Sequence, residues 1–388
     1  MSSDTLLMIP GPIVFDPAVL RAMSRPTESH TAPSFIEVFG RTLHSLRSVF
    51  LCPDGQPFVM AGSGSLAMDM AATNLIEPGD DVLVISTGYF SDRFAAIAER
   101  YGGRIQKLTA PLGDVVTLSE IETALQARQY KVVIVTHVDT STAVVTDVKA
   151  IAALAGKYGA LSIVDGVCAT AAEECRQADW GIDVYLTASQ KAMGTPPGLA
   201  LLVASPRAIA AFKARLTPPA SFYADFAQWL PVMEAYEARK PAYYGTPAVN
   251  LIYALDESVR QIMAEGMDAR FRRHRLVGEA FKSAMDAIGL KEVPVRREVS
   301  AHTLTALYFP DGIDAQLLGK IASHGVVLAG GLHPAIKARY FRVGHMGAVT
   351  VGDVLATVAA IERGLLDLGH PVERGAGVAV AQNILTQI

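Results

Sequence analysis

The sequence predicts an α/β protein: a mostly parallel sheet covered by helices, followed by a smaller second part. Two patterns carry that expectation. Short, nearly continuous runs of Val, Ile and Leu recur through the middle of the chain, as strands buried on both faces require. Segments with apolar residues at helical spacing lie between them, and such alternation builds a parallel sheet. Size agrees: 388 residues, 51% hydrophobic and 19% charged, suffice for a large core and exclude a mainly disordered chain.

Taken in order, Met68–Leu75 reads as a helix and Val82–Ser86 as the first buried strand. Asp92–Tyr101 is helical in spacing, Val132–His137 is a strand, and Asp147–Tyr158 is helical again. Leu161–Asp165, Val184–Thr187 and Leu199–Ala204 are further strands. From about Leu251 the texture becomes one long helical stretch through Ile262, Met263 and Met267 to Ala287, with a break at Gly266. Sparser strands follow at Thr303–Phe309, Val326–Leu328 and Tyr340–Val343. The expected division is an N-terminal arm over 1–20, a large domain over 21–264 and a small domain over 265–388. Arg270, Arg272, Arg273 and Arg275, diluted by Asp268 and Glu279, are expected to form a solvated helix face.

Charge and cysteine content narrow the function. Lys and Arg number 34 against 38 Asp and Glu, a net −4, which gives no nucleic-acid footprint and no polybasic membrane surface. Cys52, Cys168 and Cys175 are too few for a disulfide framework or a zinc site, so no metal and a reducing compartment are expected. The N-terminus has no basic region before its short apolar run, and no apolar stretch approaches the roughly 20 residues that span a bilayer. The C-terminal Thr-Gln-Ile is not a peroxisomal address. A cytoplasmic protein is expected.

Three features carry chemistry. In Asp183-Val-Tyr-Leu-Thr-Ala-Ser-Gln-Lys191 a buried strand runs into a lysine, whose charge is costly there unless paired or used. Leu161-Ser-Ile-Val-Asp165 puts a carboxylate at the C-terminal end of another strand, the edge where open α/β sheets hold ligands. Ala61-Gly-Ser-Gly-Ser65 precedes a helix, where free backbone N–H groups favour phosphate. Each has a plainer use: a lysine snorkelling to water, an Asp capping a turn, an ordinary loop. Together, an acid, a lysine and a phosphate cradle in this chain order are what pyridoxal phosphate needs.

The wider sequence resembles the class V (fold type I) aminotransferases, in their alanine–glyoxylate and serine–pyruvate branch. The likeness runs from Ile9-Pro-Gly-Pro12 to Tyr340-Phe-Arg-Val-Gly-His-Met-Gly347. Ser86-Thr-Gly-Tyr-Phe-Ser-Asp-Arg-Phe94, Thr136-His-Val-Asp-Thr-Ser-Thr-Ala143, Leu186-Thr-Ala-Ser-Gln-Lys-Ala192 and His324–His333 most resemble the fungal type of alanine–glyoxylate aminotransferase. The resemblance implies an aspartate-aminotransferase-like fold, with a large seven-stranded sheet and a small α+β domain. It implies that Lys191 would hold pyridoxal 5′-phosphate in Schiff-base linkage and that Asp165 would pair with the ring nitrogen. Ser63, Gly64 and Ser65, with Gln190, would hold the phosphate; Phe90 would stack on the ring, with Tyr89 as a lesser candidate, and Thr140 would lie near the ring oxygen. Tyr243 and Thr246 would reach the phosphate from a partner subunit, making a homodimer a requirement. Arg342 would clamp the substrate carboxylate beside Gly11. Lying between apolar neighbours, Arg342 needs a partner, and a structural Asp or Glu is the plain expectation.

The implied reaction is ping-pong transfer of an amino group from alanine to glyoxylate, giving pyruvate and glycine, with serine–glyoxylate and serine–pyruvate exchange as alternatives. A cysteine desulfurase-like lyase is disfavoured, because Gln190 precedes Lys191 where those enzymes carry His, and no cysteine lies in a Gly/Ser-rich loop of the small domain. Two departures stand out: Ser65 where many relatives carry His or Thr, and an unmatched tail after Gly369 that could be a helix, a dimer arm or a disordered end.

Overall fold

The computed structural model describes residues 5–388. Its centre is a seven-stranded sheet: β1 (Gln56–Ala61), β2 (Asp81–Ser86), β3 (Arg104–Thr109), β4 (Val132–Thr136), β5 (Leu161–Asp165), β6 (Val184–Ala188) and β7 (Leu199–Ala204), in spatial order β1-β7-β6-β5-β4-β2-β3. Only β7 runs against its neighbours. Every residue of β4, β5, β6 and β7 is buried, which is why these strands are continuous apolar runs.

Two strands of this sheet escaped the sequence reading, for physical reasons. β3 is an edge strand, Arg-Ile-Gln-Lys-Leu-Thr, half exposed and mostly polar, so it lacks the continuous apolar run. β1, at the other edge, carries Pro57, a residue tolerated where one side of the ladder is free.

The helices that position the site are α1 (Gly64–Leu75), α2 (Tyr89–Arg100) and α3 (Val148–Lys157), each following a sheet strand or its loop. Asp147 caps α3, its carboxylate accepting from Ala150 N at 3.0 Å. The long helical stretch is two helices, α4 (Val249–Glu265) and α5 (Met267–Ala287), separated at Gly266, whose φ of 82° suits glycine and ends the first helix. Beyond it a three-stranded antiparallel sheet forms from β8 (Leu304–Tyr308), β9 (Ala329–Gly330) and β10 (Tyr340–Gly344), with β10 central. A second apolar core gathers α5, the helix α6 (Val351–Asp367) and the tail helix α7 (Ala376–Leu385).

The tail after Gly369 is therefore a docked helix. α7 packs on α5 and α6, and the buried Glu362 caps it, accepting from Gly375 N at 2.7 Å, Gly377 N at 2.8 Å and Val378 N at 3.3 Å. The N-terminal segment is tied down as well: Leu6–Leu7 pairs in parallel with Val326–Val327, and Ile13 N donates to Gln190 O at 3.2 Å. Residues 1–4 of the expected arm lie outside the described residues.

The arginine cluster corrects the expectation of a solvated face. Arg272 and Arg275 are exposed, but Arg270 is only 7% exposed and Arg273 is half-buried. Both guanidinium groups turn inward onto Glu265, at 2.7 and 2.6 Å.

Candidate active site

The functional side chains gather at the C-terminal ends of the parallel strands. Ser63 follows β1, Phe90 follows β2, Thr140 follows β4, Asp165 ends β5 and Lys191 follows β6. Register puts Asp165 opposite Thr136 of β4 and Leu186 of β6, so the acid sits mid-sheet, one strand from the lysine. These segments enclose a cavity of about 260 Å³ lined by Gly11, Ser63, Gly64, Ser65, Phe90, Thr140, Asp165, Gln190 and Lys191, together with Pro12, Met68, Arg93, Val138 and Val167. Tyr89, the lesser candidate for the ring, is not among the lining residues.

Lys191 is buried and its Nζ donates to Pro10 O. Burial holds its pKa below the usual lysine value, and the Arg342 charge pushes the same way. A lysine shifted in this direction gives up its proton more readily than an exposed one, which favours its use as nucleophile and base. Gly11 makes room for it: with φ at +136°, its backbone passes so close that a Cβ would stand 2.7 Å from Lys191 Cδ and 2.8 Å from Nζ.

Asp165 is 2% exposed, and its Oδ1 accepts from Val167 N at 2.9 Å. Burial raises its pKa to about 7, with the nearby charge of Asp139 adding to the rise and Lys191 opposing it. A carboxyl balanced at neutrality is poised to exchange a proton with a basic ring nitrogen.

At the other end of the cavity, α1 begins at Ser63 without a side-chain cap, leaving its first N–H groups facing an anion-sized space. A Cβ at Gly64 would meet Val167 Cγ2 at 2.9 Å, so glycine keeps that end open. Gln190 lines the space, and its buried Oε1 accepts no hydrogen bond from the protein. Pyridoxal phosphate fits this donor set: N–H groups and hydroxyls from the start of α1, an amine and an acid from the strand ends, and the Phe90 ring in the same lining.

Two residues that sequence reasoning missed shape the cavity. Asp139 is fully buried and ties two loops together. Its Oδ2 accepts from Phe90 N at 3.1 Å, Ser91 N at 3.2 Å and Ser91 Oγ at 3.1 Å, while Oδ1 accepts from Ser141 N at 2.9 Å and Ser141 Oγ at 2.6 Å. It thereby caps α2 from 49 residues away and fixes Phe90 relative to Thr140. Arg93 donates to Ser65 Oγ at 3.1 Å and Tyr89 Oη at 3.2 Å, with its guanidinium 5.0 Å from the Phe90 ring centre. Its place one helical turn after Phe90 was the available signal.

Arg342 lies on β10, outside the lining of the cavity but joined to it. Its partners are not the acid expected for it. Nε donates to Gly330 O at 3.0 Å and Nη1 to Thr140 O at 3.1 Å, and no carboxylate among the described residues pairs with it. Backbone carbonyls orient the fork, and the carboxylate that acts on its charge from a distance, Asp139, is already hydrogen-bonded to Phe90, Ser91 and Ser141. Tyr340, two residues before, donates to Ser141 O and accepts from Leu332 N and His333 N at 2.8 Å each, which binds the loop after β9 to the Thr140 loop. Tyr243, 65% exposed, and Thr246, also exposed, stand apart from this chain's cavity, and the Tyr243 ring lies 5.2 Å from that of His30.

Comparison with known proteins agrees with this arrangement. The family model "Aminotransferase class-V" matches residues 28–352. The chain is 42% identical to alanine–glyoxylate aminotransferase 1 of Saccharomyces cerevisiae over 361 residues, 89% of this chain and 92% of that one. It is 35% identical to the L-aspartate–glyoxylate aminotransferase of Paracoccus denitrificans, covering 98% and 96%. Among solved structures, ureidoglycine–glyoxylate aminotransferase from Bacillus subtilis superposes with a TM-score of 0.93 at 29% identity, over 100% of this chain and 99% of that one. The fold is thus that of the fold-type I aminotransferases. Since the family match runs from before Ser63 to beyond Arg342, the chain belongs to the class-V aminotransferases and is a pyridoxal-phosphate-dependent transaminase.

Proposed function

We propose that this transaminase moves an amino group from a small L-amino acid, alanine foremost, to glyoxylate, in two half-reactions that share one site. Glyoxylate as acceptor is supported by the names of these relatives, whose donors differ among alanine, aspartate and ureidoglycine. Alanine rests on the 42% identity to the yeast enzyme. The observation that carries the reading is Arg342: a guanidinium oriented by two carbonyls, without a carboxylate of its own, beside the cavity that holds Lys191. A substrate α-carboxylate supplies the missing anion in a bidentate pair.

Bound pyridoxal phosphate supplies an electron sink for the pair of electrons left when substrate Cα loses its proton. The chain's own residues do the rest. Ser63, Gly64, Ser65 and Gln190 would hold the phosphate, Phe90 would stack on the ring, Thr140 would serve the ring oxygen, and Asp165 would keep a proton on the ring nitrogen; all line the one cavity. Lys191 Nζ would hold the group covalently and, once freed by the incoming amino acid, would take the proton from substrate Cα and deliver it to the carbon on the far side of the amino nitrogen. Arg342 fixes the substrate so that the Cα–H bond faces Lys191, while Gly11 keeps the lysine's path clear.

Tyr243 and Thr246 belong to this scheme as residues delivered to the other subunit of a homodimer, which their exposure on a single chain supports. The division into an arm over 1–20, a large domain over 21–264 and a small domain over 265–388 completes the proposal, with the site near their junction. The test is a donor panel with glyoxylate as acceptor, following glycine formation. Alanine giving the highest kcat/KM supports the assignment; serine or aspartate ahead by tenfold or more, about 1.4 kcal/mol, reassigns the donor.

A further inference from the structure

Buried arginines outside the reaction centre are rare enough to ask what each one does. Arg270 spends two of its three nitrogens on the backbone around the two central residues. Nη2 donates to Ala192 O at 2.8 Å, the carbonyl next to Lys191, and Nε donates to Ala171 O at 2.7 Å, in the turn that follows Asp165. Nη1 pairs with Glu265 Oε2 at 2.7 Å, across the break between α4 and α5. Ala171 has φ at 62°, a strained value for a residue with a side chain, so that turn needs an outside hold. The lysine loop has few other restraints from α4 and α5: Ser258 Oγ donates to Met193 O at 2.6 Å.

We propose that Arg270, oriented by Glu265, is a positioning residue for the reaction: it fixes the peptide carbonyl adjoining Lys191 and the turn after Asp165 relative to each other, and so aims the lysine amine. This rests on the roles proposed for Lys191 and Asp165. Arg270 touches neither cofactor nor substrate. Its effect is on the angle at which Nζ meets the atoms it serves, and small displacements there cost rate far more than binding.

The test compares Arg270→Gln, Arg270→Lys and the distant control Arg47→Gln, which breaks the half-buried Arg47–Glu237 pair in the large sheet region. Three readouts are taken on each loaded protein and on wild type: kcat and KM for the amino donor, the thermal unfolding midpoint, and the rate at which cofactor-free protein captures pyridoxal phosphate covalently, trapped with borohydride and located on Lys191 by peptide mass. Expected for Arg270→Gln is a fall in kcat and in capture rate of roughly 10–100-fold with KM within about threefold. Arg270→Lys, which still reaches one carbonyl, recovers part of both, and Arg47→Gln lowers the midpoint with kcat and capture unchanged. Wild-type activity and capture on Lys191 stand as the check on the underlying assignment, separate from Arg270. Unaltered kcat and capture in Arg270→Gln overturn the proposal, as does a loss in Arg47→Gln that matches it. If Arg270→Gln does not fold, Arg270→Lys decides: wild-type kcat and capture overturn the proposal, and reduced values at an unchanged midpoint support it.

Discussion

Replacing Asp139 by Asn changes one atom and removes one charge, and the surrounding hydrogen bonds set the cost. The carboxylate accepts five of them, two at Oδ1 and three at Oδ2, in a site with no exposure to water. An amide must turn its NH2 toward one of those edges. At the Oδ2 edge it would face two backbone N–H groups, so it turns toward Ser141 instead. There Ser141 N loses its acceptor, and the Ser141 hydroxyl, which already accepts from Tyr89 N at 3.0 Å, loses the group it donated to. One buried N–H left unpaired costs about 1–3 kcal/mol, and losing the anion at the start of α2 adds about 1 kcal/mol. The expected loss is about 2–4 kcal/mol, or roughly 3–5 °C in the unfolding midpoint of a chain this long. Because the same carboxylate fixes Phe90 and Thr140, pyridoxal phosphate affinity of the variant falls by roughly tenfold or more. Thermal unfolding of the cofactor-free protein reads the first effect and an absorbance titration with cofactor the second. A variant within about 0.5 kcal/mol of wild type, binding the cofactor normally, refutes the reasoning.

Further outcomes are expected elsewhere. Lys191→Ala loses covalent capture of the cofactor and turnover falls by roughly 10⁴-fold or more, read by borohydride trapping and by glycine formation. Gly11→Ala, which places a methyl group against Lys191 Cδ and Nζ, slows that same capture while leaving secondary structure by circular dichroism unchanged. Glu362→Ala uncaps α7 at a cost of about 1–2 kcal/mol, and limited proteolysis then cuts near Glu373 where wild type resists. The cofactor-free protein loses stability in acid: burial holds His137 down at about 4 and His345 at about 3, so below pH 6.5 the unfolded chain takes up protons the folded one refuses. Glu173 adds to this below pH 4.5, because His302 outweighs burial and brings it to about 2; Asp165, raised to about 7 by burial, works the other way between pH 7 and 3.8. Buried His274, held well below its usual value, acts with the two histidines, and the raised Asp69, Asp183 and Glu292 act with Asp165; the histidines govern the range, so the unfolding midpoint falls from pH 6.5 to 4, and a flat profile over that range contradicts it.

How much of the molecule was legible in the sequence depends on how local each signal is. β4 to β7 are buried on both faces, so composition alone marks them; Asp165 stands out by ending an apolar run, and Lys191 by following a buried strand closely. The edge strand β3 carries no such mark, and β1 has its short apolar run broken into by Pro57. Asp139 was invisible in role although its phrase was in view, because its partners Phe90 and Ser91 are 49 and 48 residues away. Arg270 was mistaken for a solvent-facing charge, yet its spacing to His274, Val277 and Phe281 places it on the buried side of α5, and all four are buried. Counting charges hid a pattern that periodicity shows. Arg342 was correctly expected to need partners, but backbone carbonyls met part of the need, which no sequence pattern reveals.

The most direct measurement is a single half-reaction without an acceptor. Protein loaded with pyridoxal phosphate is mixed with L-alanine, and pyruvate is counted against subunits while the visible absorbance of the lysine-held cofactor is followed. The expected result is about one pyruvate per subunit with loss of that absorbance, then its return with an equal amount of glycine when glyoxylate is added, and neither event in Lys191→Ala. A protein that holds the cofactor on Lys191 but yields no keto acid from alanine, serine or aspartate contradicts the proposed amino-group exchange.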